Sequence, residues 1–136
     1  MAKKKNRSAA SRRAERSEYP HTTGAAAGVY LISTGEAELV PDGYHADGWL
    51  LLINGVQSSH VIVGQPRMLD FEYMRWIAAV LDSHIQTHLN PEKLRITHLG
   101  GGACSLARYC ADVYPNSRNT VVELDAKLAE YVREWF

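Results

Sequence analysis

The run Leu94-Arg95-Ile96-Thr97-His98-Leu99-Gly100-Gly101-Gly102, answered by Val121-Val122-Glu123-Leu124-Asp125, constrains the fold of this chain more than any other feature. A strand of alternating character meets three glycines and a helical segment, then a second short strand ending on a carboxylate. Glycine at such a turn lets the backbone bend sharply and come close to a ligand. Glu123 lies twenty-one residues past Gly102, where a carboxylate can accept hydrogen bonds from both hydroxyls of a ribose. Together these features predict the opening half of a nucleoside-binding α/β domain. A tight turn followed by an unrelated exposed acid is the plainer alternative. The complete strand-turn-helix-strand context weighs against it.

The ligand class narrows by exclusion. Ser105 stands where the third glycine of a dinucleotide fingerprint would fall. No lysine follows the glycines, so a phosphate-binding P-loop is excluded. A nucleoside without a pyrophosphate, such as an S-adenosyl compound, suits the triplet better.

Upstream, the pattern changes to short strands. Gly28 to Ser33 and Glu36 to Val40 flank Thr34-Gly35, and Trp49 to Ile53 runs through Asn54-Gly55 into Val56 to Val63. Both junctions read as hairpins, and Pro41-Asp42-Gly43 is a further turn signal. A helix follows, with Leu69, Tyr73, Trp76, Ile77, Val80, Leu81, Ile85 and Leu89 at three- and four-residue steps. Asp70 is placed to cap it or to sit in its first turn, and Asn90-Pro91 ends it. The expected fold class is α/β: an antiparallel β segment, then the first part of a class I methyltransferase-like Rossmann domain, truncated. The expected domains are a disordered basic tail over residues 1–27, a small antiparallel β domain over 28–66, and over 67–136 a linking helix with the first βαβα part of a Rossmann-like domain.

Charge separates the tail from the rest. Up to Ala27 there are seven basic residues against two acidic ones, and beyond it eight basic against thirteen acidic. The tail is near +5 and the remainder near −5, although the chain sums to zero. Such a tail can touch RNA, DNA or an anionic surface. With no aromatic residue among its early charges, a solvated leader is the favoured reading. It lacks the apolar core of a secretory signal, and no run approaches about 18 apolar residues, so no membrane span is expected. Cys104 and Cys110 fit no zinc spacing, and reduced thiols in a cytoplasmic protein are expected.

Four segments, in order, resemble the spermidine synthase family, the polyamine aminopropyltransferases. Leu51-Leu52-Ile53-Asn54-Gly55-Val56-Gln57 is similar to the family's L-x-L-D-G-V-x-Q strand. Leu69-Asp70-Phe71-Glu72-Tyr73 resembles the acidic-aromatic-Tyr start of its gate helix. Leu99-Gly100-Gly101-Gly102 matches its glycine turn, and Val122-Glu123-Leu124-Asp125 its E-[IL]-D motif. The resemblance spans about Val29 to Phe136. It implies a small β domain before a methyltransferase-like Rossmann domain, with oligomers assembled through the β domain. It implies an S-adenosyl-type nucleoside as co-substrate, with no tightly bound cofactor and no metal, and a polyamine as second substrate. The residues implied to hold the nucleoside are Gly100, Gly101, Gly102, Glu123, Gln57 and Asp125, with Tyr73 towards the second substrate.

The chain departs from that pattern where the amine would react. Ala103 replaces the acid that usually follows the glycines, Met74 follows Tyr73, and Gln57 sits one place early. Aminopropyl transfer needs carboxylates to hold a diamine's charged end and to take a proton from the attacking nitrogen. In the family those acids lie beyond Glu123, past Phe136, so the catalytic residues are unknown and the chain alone is expected to be inactive. An S-adenosylmethionine-dependent methyltransferase on the same scaffold is the second reading. A non-catalytic fragment or interaction module is the third.

Other residues carry weaker signals. His98 reads as a packed strand histidine, and His84 and His88, four apart, lack the glutamate of a metalloprotease motif. Ser58-Ser59-His60 has no orienting acid nearby in sequence, which argues against a hydrolase. Trp49, Trp76 and Trp135 are expected in the core or an interface. Cys104 at a helix start can have a lowered pKa, although a packed thiol is the commoner case.

Overall fold

A computed structural model describes residues 24–136. The expected basic tail, up to residue 23, lies outside the described residues. Four strands form an antiparallel meander: β1 (Gly28–Ile32), β2 (Gly35–Pro41), β3 (Gly48–Ile53) and β4 (Val56–Ile62). Helix α1 (Glu72–His88) leads through a short 3-10 turn (Pro91–Lys93) to β5 (Arg95–Leu99), α2 (Ser105–Val113), β6 (Arg118–Val122) and α3 (Ala126–Trp135). Strands β5 and β6 pair in parallel from Arg95↔Arg118 to Leu99↔Val122. The chain is therefore α/β, with an antiparallel four-stranded sheet beside a parallel pair carrying helices. No helix among the described residues is long and apolar enough to cross a membrane.

Local chemistry accounts for the turns. Asn54 and Gly55 both adopt positive φ, 50° and 78°, as a two-residue hairpin turn requires. The Asn54 side chain also binds the neighbouring hairpin, accepting from Glu36 N–H at 2.9 Å and donating to the Thr34 carbonyl at 3.2 Å. Asn90 accepts from Glu92 N–H at 3.0 Å and closes the 3-10 turn that follows α1.

Burial follows the two periodicities. Ala37 and Leu39 of β2 and Leu51 of β3 face Leu128, Val132 and Trp135 of α3 in one core. Those α3 positions recur at four and three residues, one stripe of the helix. Ala25, within the stretch read as tail, also packs against this core. A second cluster joins Ile85 of α1 to Leu94 and Tyr114. Asp82 of α1 bridges it, accepting from Tyr109 Oη at 2.5 Å and Tyr114 Oη at 2.6 Å.

Four points differ from the sequence reading. Asp70 neither caps α1 nor lies in its first turn: Phe71 occupies the cap position without a side-chain bond, and the carbonyls of Leu69 and Asp70 accept from the Arg75 guanidinium. The apolar stripe of α1 is only partly covered, with Ala78 and Ile85 buried but Trp76 63% and Val80 71% exposed. Trp135 is buried and Trp49 packs at the edge of the same core, so the three tryptophans have unlike environments. The second strand starts at Arg118, three residues before the Val121-Val122 pair that marks it in the sequence, because parallel pairing with Arg95 extends it.

Candidate nucleoside site

The glycine turn projects from the carboxyl end of β5, beside the end of β6. This is the edge at which open parallel sheets hold ligands. Gly100 and Gly102 have φ of 79° and 50°, a region L side chains enter at a cost. Gly101 does not; it is required for space. A Cβ there would lie 2.6 Å from Val121 Cγ1 and 3.5 Å from Glu123 Oε2. Crowding by β6 therefore keeps a side chain out of this position.

Glu123 is folded back onto the turn. Its Oε2 accepts from Gly101 N–H at 2.7 Å and Gly102 N–H at 3.2 Å, and its Oε1 accepts from Asp125 N–H at 3.0 Å. Burial acts to raise its pKa, but the backbone donors of Asp125, Gly101 and Gly102 outweigh it and hold the carboxyl below its ordinary range. The carboxylate is thus charged, oriented and anchored before any ligand arrives.

Strand β4 closes the turn from the other side. Leu51 pairs with Ser59 but Leu52 with Gln57, so Ser58 is an extra residue at a bulge. Ser59 Oγ accepts from Ala103 N–H at 3.0 Å, and a Cβ on Gly102 would lie 2.5 Å from that oxygen. Ser105 Oγ donates to the His60 carbonyl at 2.7 Å. These contacts dock the antiparallel sheet onto the start of α2. Ala103 itself is 1% exposed and belongs to the main core.

The result is a cavity of about 650 Å³. Its walls include Ser58 and Ser59, Tyr73 and Met74 of α1, Thr97 and His98 of β5, Gly100 to Gly102, and Glu123 to Asp125. Of the residues singled out in the sequence, Gly100, Gly101, Gly102, Glu123, Asp125 and Tyr73 meet around it. Gln57 does not: it is exposed on β4, and Ser58 and Ser59 stand at the cavity in its place.

Asp125 serves the fold. It caps α3 by accepting from Leu128 N–H at 3.0 Å, and its other oxygen accepts from Thr34 N–H at 2.7 Å and Thr34 Oγ at 2.9 Å. Burial would raise its pKa, but these donors hold it well below the usual carboxylate range. Tyr73 is 49% exposed and stacks on Phe71, with ring centroids 5.9 Å apart. His98 binds Asn119 across the parallel pair at 2.9 Å. Cys104 follows the commoner of its two readings, a packed thiol: burial raises its pKa, only partly offset by Arg108.

Sequence reasoning named Ser59 and Asp42 but missed their roles. Ser59 reaches the turn through a bulge that leaves no local sequence signature. Asp42 is the acid that orients His60, with Oδ2 2.8 Å from His60 Nε2. It comes from a turn eighteen residues earlier. No hydroxyl completes a triad, because His60 Nδ1 has no partner among the described residues.

No family model matches the chain, and a search of curated proteins finds no match. A solved structure does: the crystal structure of a probable spermidine synthase from Corynebacterium glutamicum, with 61% sequence identity and a TM-score of 0.80. The likeness covers 82% of this chain and 40% of that protein, so the chain spans well under half of its relative's length.

Proposed function

We propose that this spermidine synthase-like chain supplies the nucleoside-holding part of a transferase that uses a decarboxylated S-adenosylmethionine or S-adenosylmethionine type co-substrate. Polyamine synthesis is the setting that the resemblance implies. The observation that carries the proposal is the pre-oriented Glu123 carboxylate, anchored on Gly101 and Gly102 at the mouth of a cavity of about 650 Å³. In the proposed complex the glycine turn admits the nucleoside without a side chain in its path. Glu123 then accepts from the ribose hydroxyls while its backbone bonds fix its direction. Preorganisation of this kind reduces the ordering cost of binding.

The same walls bear on the chemistry. In aminopropyl transfer an uncharged amine attacks the carbon next to a sulfonium, the carbon–sulfur bond breaks, and the amine's proton passes to a base. Glu123 and Asp125, the carboxylates among the cavity's described walls, are already committed to backbone N–H donors. Ala103 is buried and Met74 is apolar, so neither offers a base. The chain's own residues therefore bind and orient the nucleoside. This distribution also keeps the methyltransferase reading open, since the amine-specific positions hold Ala103 and Met74.

Titration calorimetry with methylthioadenosine and with adenine separates ribose recognition from general effects on the turn. Glu123→Gln should weaken methylthioadenosine by about 1.5–3 kcal/mol, the range for hydrogen bonds to a charged group, and leave adenine binding little changed. Equal losses for both ligands, or none for either, would refute the ribose assignment.

A further inference from the structure

We propose that Asp42, His45 and His60 form a binding site for a divalent transition metal of the zinc type, separate from the nucleoside cavity. The side chains come from the turn after β2 and from β4. Each offers one ligand atom, and these atoms lie within 4.8 Å of one another. Asp42 Oδ2 is 2.8 Å from His45 Nδ1 and 2.8 Å from His60 Nε2. The other oxygen accepts from Tyr44 N–H and His45 N–H, both at 2.8 Å. The backbone thus aims the carboxylate and leaves Oδ2 facing both rings. A Cβ on Gly48 would come within 2.1 Å of Oδ2, so the arrangement depends on glycine there.

Two imidazoles and a carboxylate are a donor set suited to zinc, and three protein donors leave one tetrahedral position for water. Zinc bonds of about 2.0–2.2 Å place neighbouring donors roughly 3.3–3.5 Å apart, so the two 2.8 Å contacts of Asp42 must open by roughly half an ångström while the two ring nitrogens, within 4.8 Å, settle to the same spacing. His45 can move that far, since its side chain is 41% exposed on a turn. His60, at 5%, and Asp42, at 8%, provide the fixed pair. His45 and His60 both line a second cavity of about 460 Å³, through which an ion can reach them. Arg67 in its wall is paired with Asp112 at 2.5 Å, which offsets its charge.

His60 supplies an independent observation. Its Nδ1 is buried without a partner among the described residues. Without a metal, the Asp42 carboxylate, which only accepts, holds the ring as its Nε2–H tautomer; nothing engages Nδ1 to oppose the other tautomer. Metal binding exchanges the Nε2 proton for the ion and leaves the ring protonated at Nδ1, which no other described group engages. His45 exchanges its proton from Nδ1 to Nε2 in the same way. The ligands then carry the single negative charge of Asp42, and the exchange orphans no further nitrogen. The competing arrangement is a plain hydrogen-bonded brace between the turn and β4.

The test uses the full chain, stripped with a chelator and titrated with Zn2+ by calorimetry, and with Co2+ followed by visible absorption. The expected result is one Zn2+ per chain and a Co2+ spectrum of the intense tetrahedral kind. His45→Gln should weaken Zn2+ by at least the roughly 10–100-fold that loss of even an outer-shell partner costs. His84→Gln should leave binding unchanged, although His84 and His88 rings lie 4.9 Å apart on α1. If His45→Gln does not fold, nitrogen-detected histidine spectra of the parent decide, with His45 and His60 ring signals shifting on Zn2+. A chain that takes up no Zn2+, binding that survives His45→Gln, or shifts confined to His84 and His88 would overturn the proposal.

Discussion

Replacing Glu123 by glutamine should cost stability even without a ligand, because the carboxylate is part of the turn. It accepts three backbone N–H groups, two at Oε2 and one at Oε1. Glutamine keeps one accepting oxygen. Whichever way the amide turns, its NH2 faces at least one donor. If the oxygen stays with Gly101 and Gly102, Asp125 N–H is left without its acceptor. A hydrogen bond to a charged group contributes about 1.5–3 kcal/mol when buried, and partial exposure reduces this to about 1–2 kcal/mol. With a urea slope of about 1–1.5 kcal/mol/M for a small domain, the midpoint should fall by roughly 1 M at pH 7.

The difference should depend on pH in a definite direction. The folded Glu123 carboxyl titrates below its ordinary value of 4.5, so in that window the unfolded chain binds the extra proton. Its contribution is complete above about 4.5 and is lost as pH falls through the folded pKa. Asp42 and Asp125 are lowered too, but parent and variant share them, so the difference isolates Glu123. Urea unfolding at pH 7, 5 and 3, followed by circular dichroism, measures it. Equal midpoints at pH 7, or a gap that widens in acid, would refute the anchoring of the turn by this carboxylate.

Two further outcomes follow from the geometry. Gly101→Ala should destabilise the fold by about 1–3 kcal/mol through overpacking against Val121, and Val121→Ala should relieve most of that loss; a double-mutant cycle by urea unfolding checks the coupling. Cys110 is wholly buried and its thiol is pushed up to about 11, chiefly by burial, so at pH 8 both thiols should react with a disulfide reagent far more slowly than in urea, and equal rates would contradict the packing.

Much of the architecture was legible because it is written locally. Asn54-Gly55 marks its turn by the positive φ that both residues accept. The glycines between β5 and α2 mark theirs, and Glu123 stands at the interval that one crossover helix sets. Helix α1 was legible in extent, but its apolar spacing did not tell which side chains would be covered. Trp76 and Ile85 share the same periodic signal, yet one is 63% and the other 1% exposed. Periodicity reports which residues share a face; only the neighbours packed against that face decide burial.

The site divides along the same line. The sequence by itself determined that a glycine turn and a carboxylate would stand at adjacent strand ends, since parallel pairing of β5 and β6 brings Leu99 opposite Val122. Tertiary structure alone decided that Gly101 is needed for space and that Asp125 is consumed as a cap and a brace to Thr34. It also put Ser59 of β4, and not Gln57, against the turn. These contacts join residues 44 and 91 positions apart in the chain. Their partners are set by how two sheets dock, and no local preference of the backbone encodes that distance.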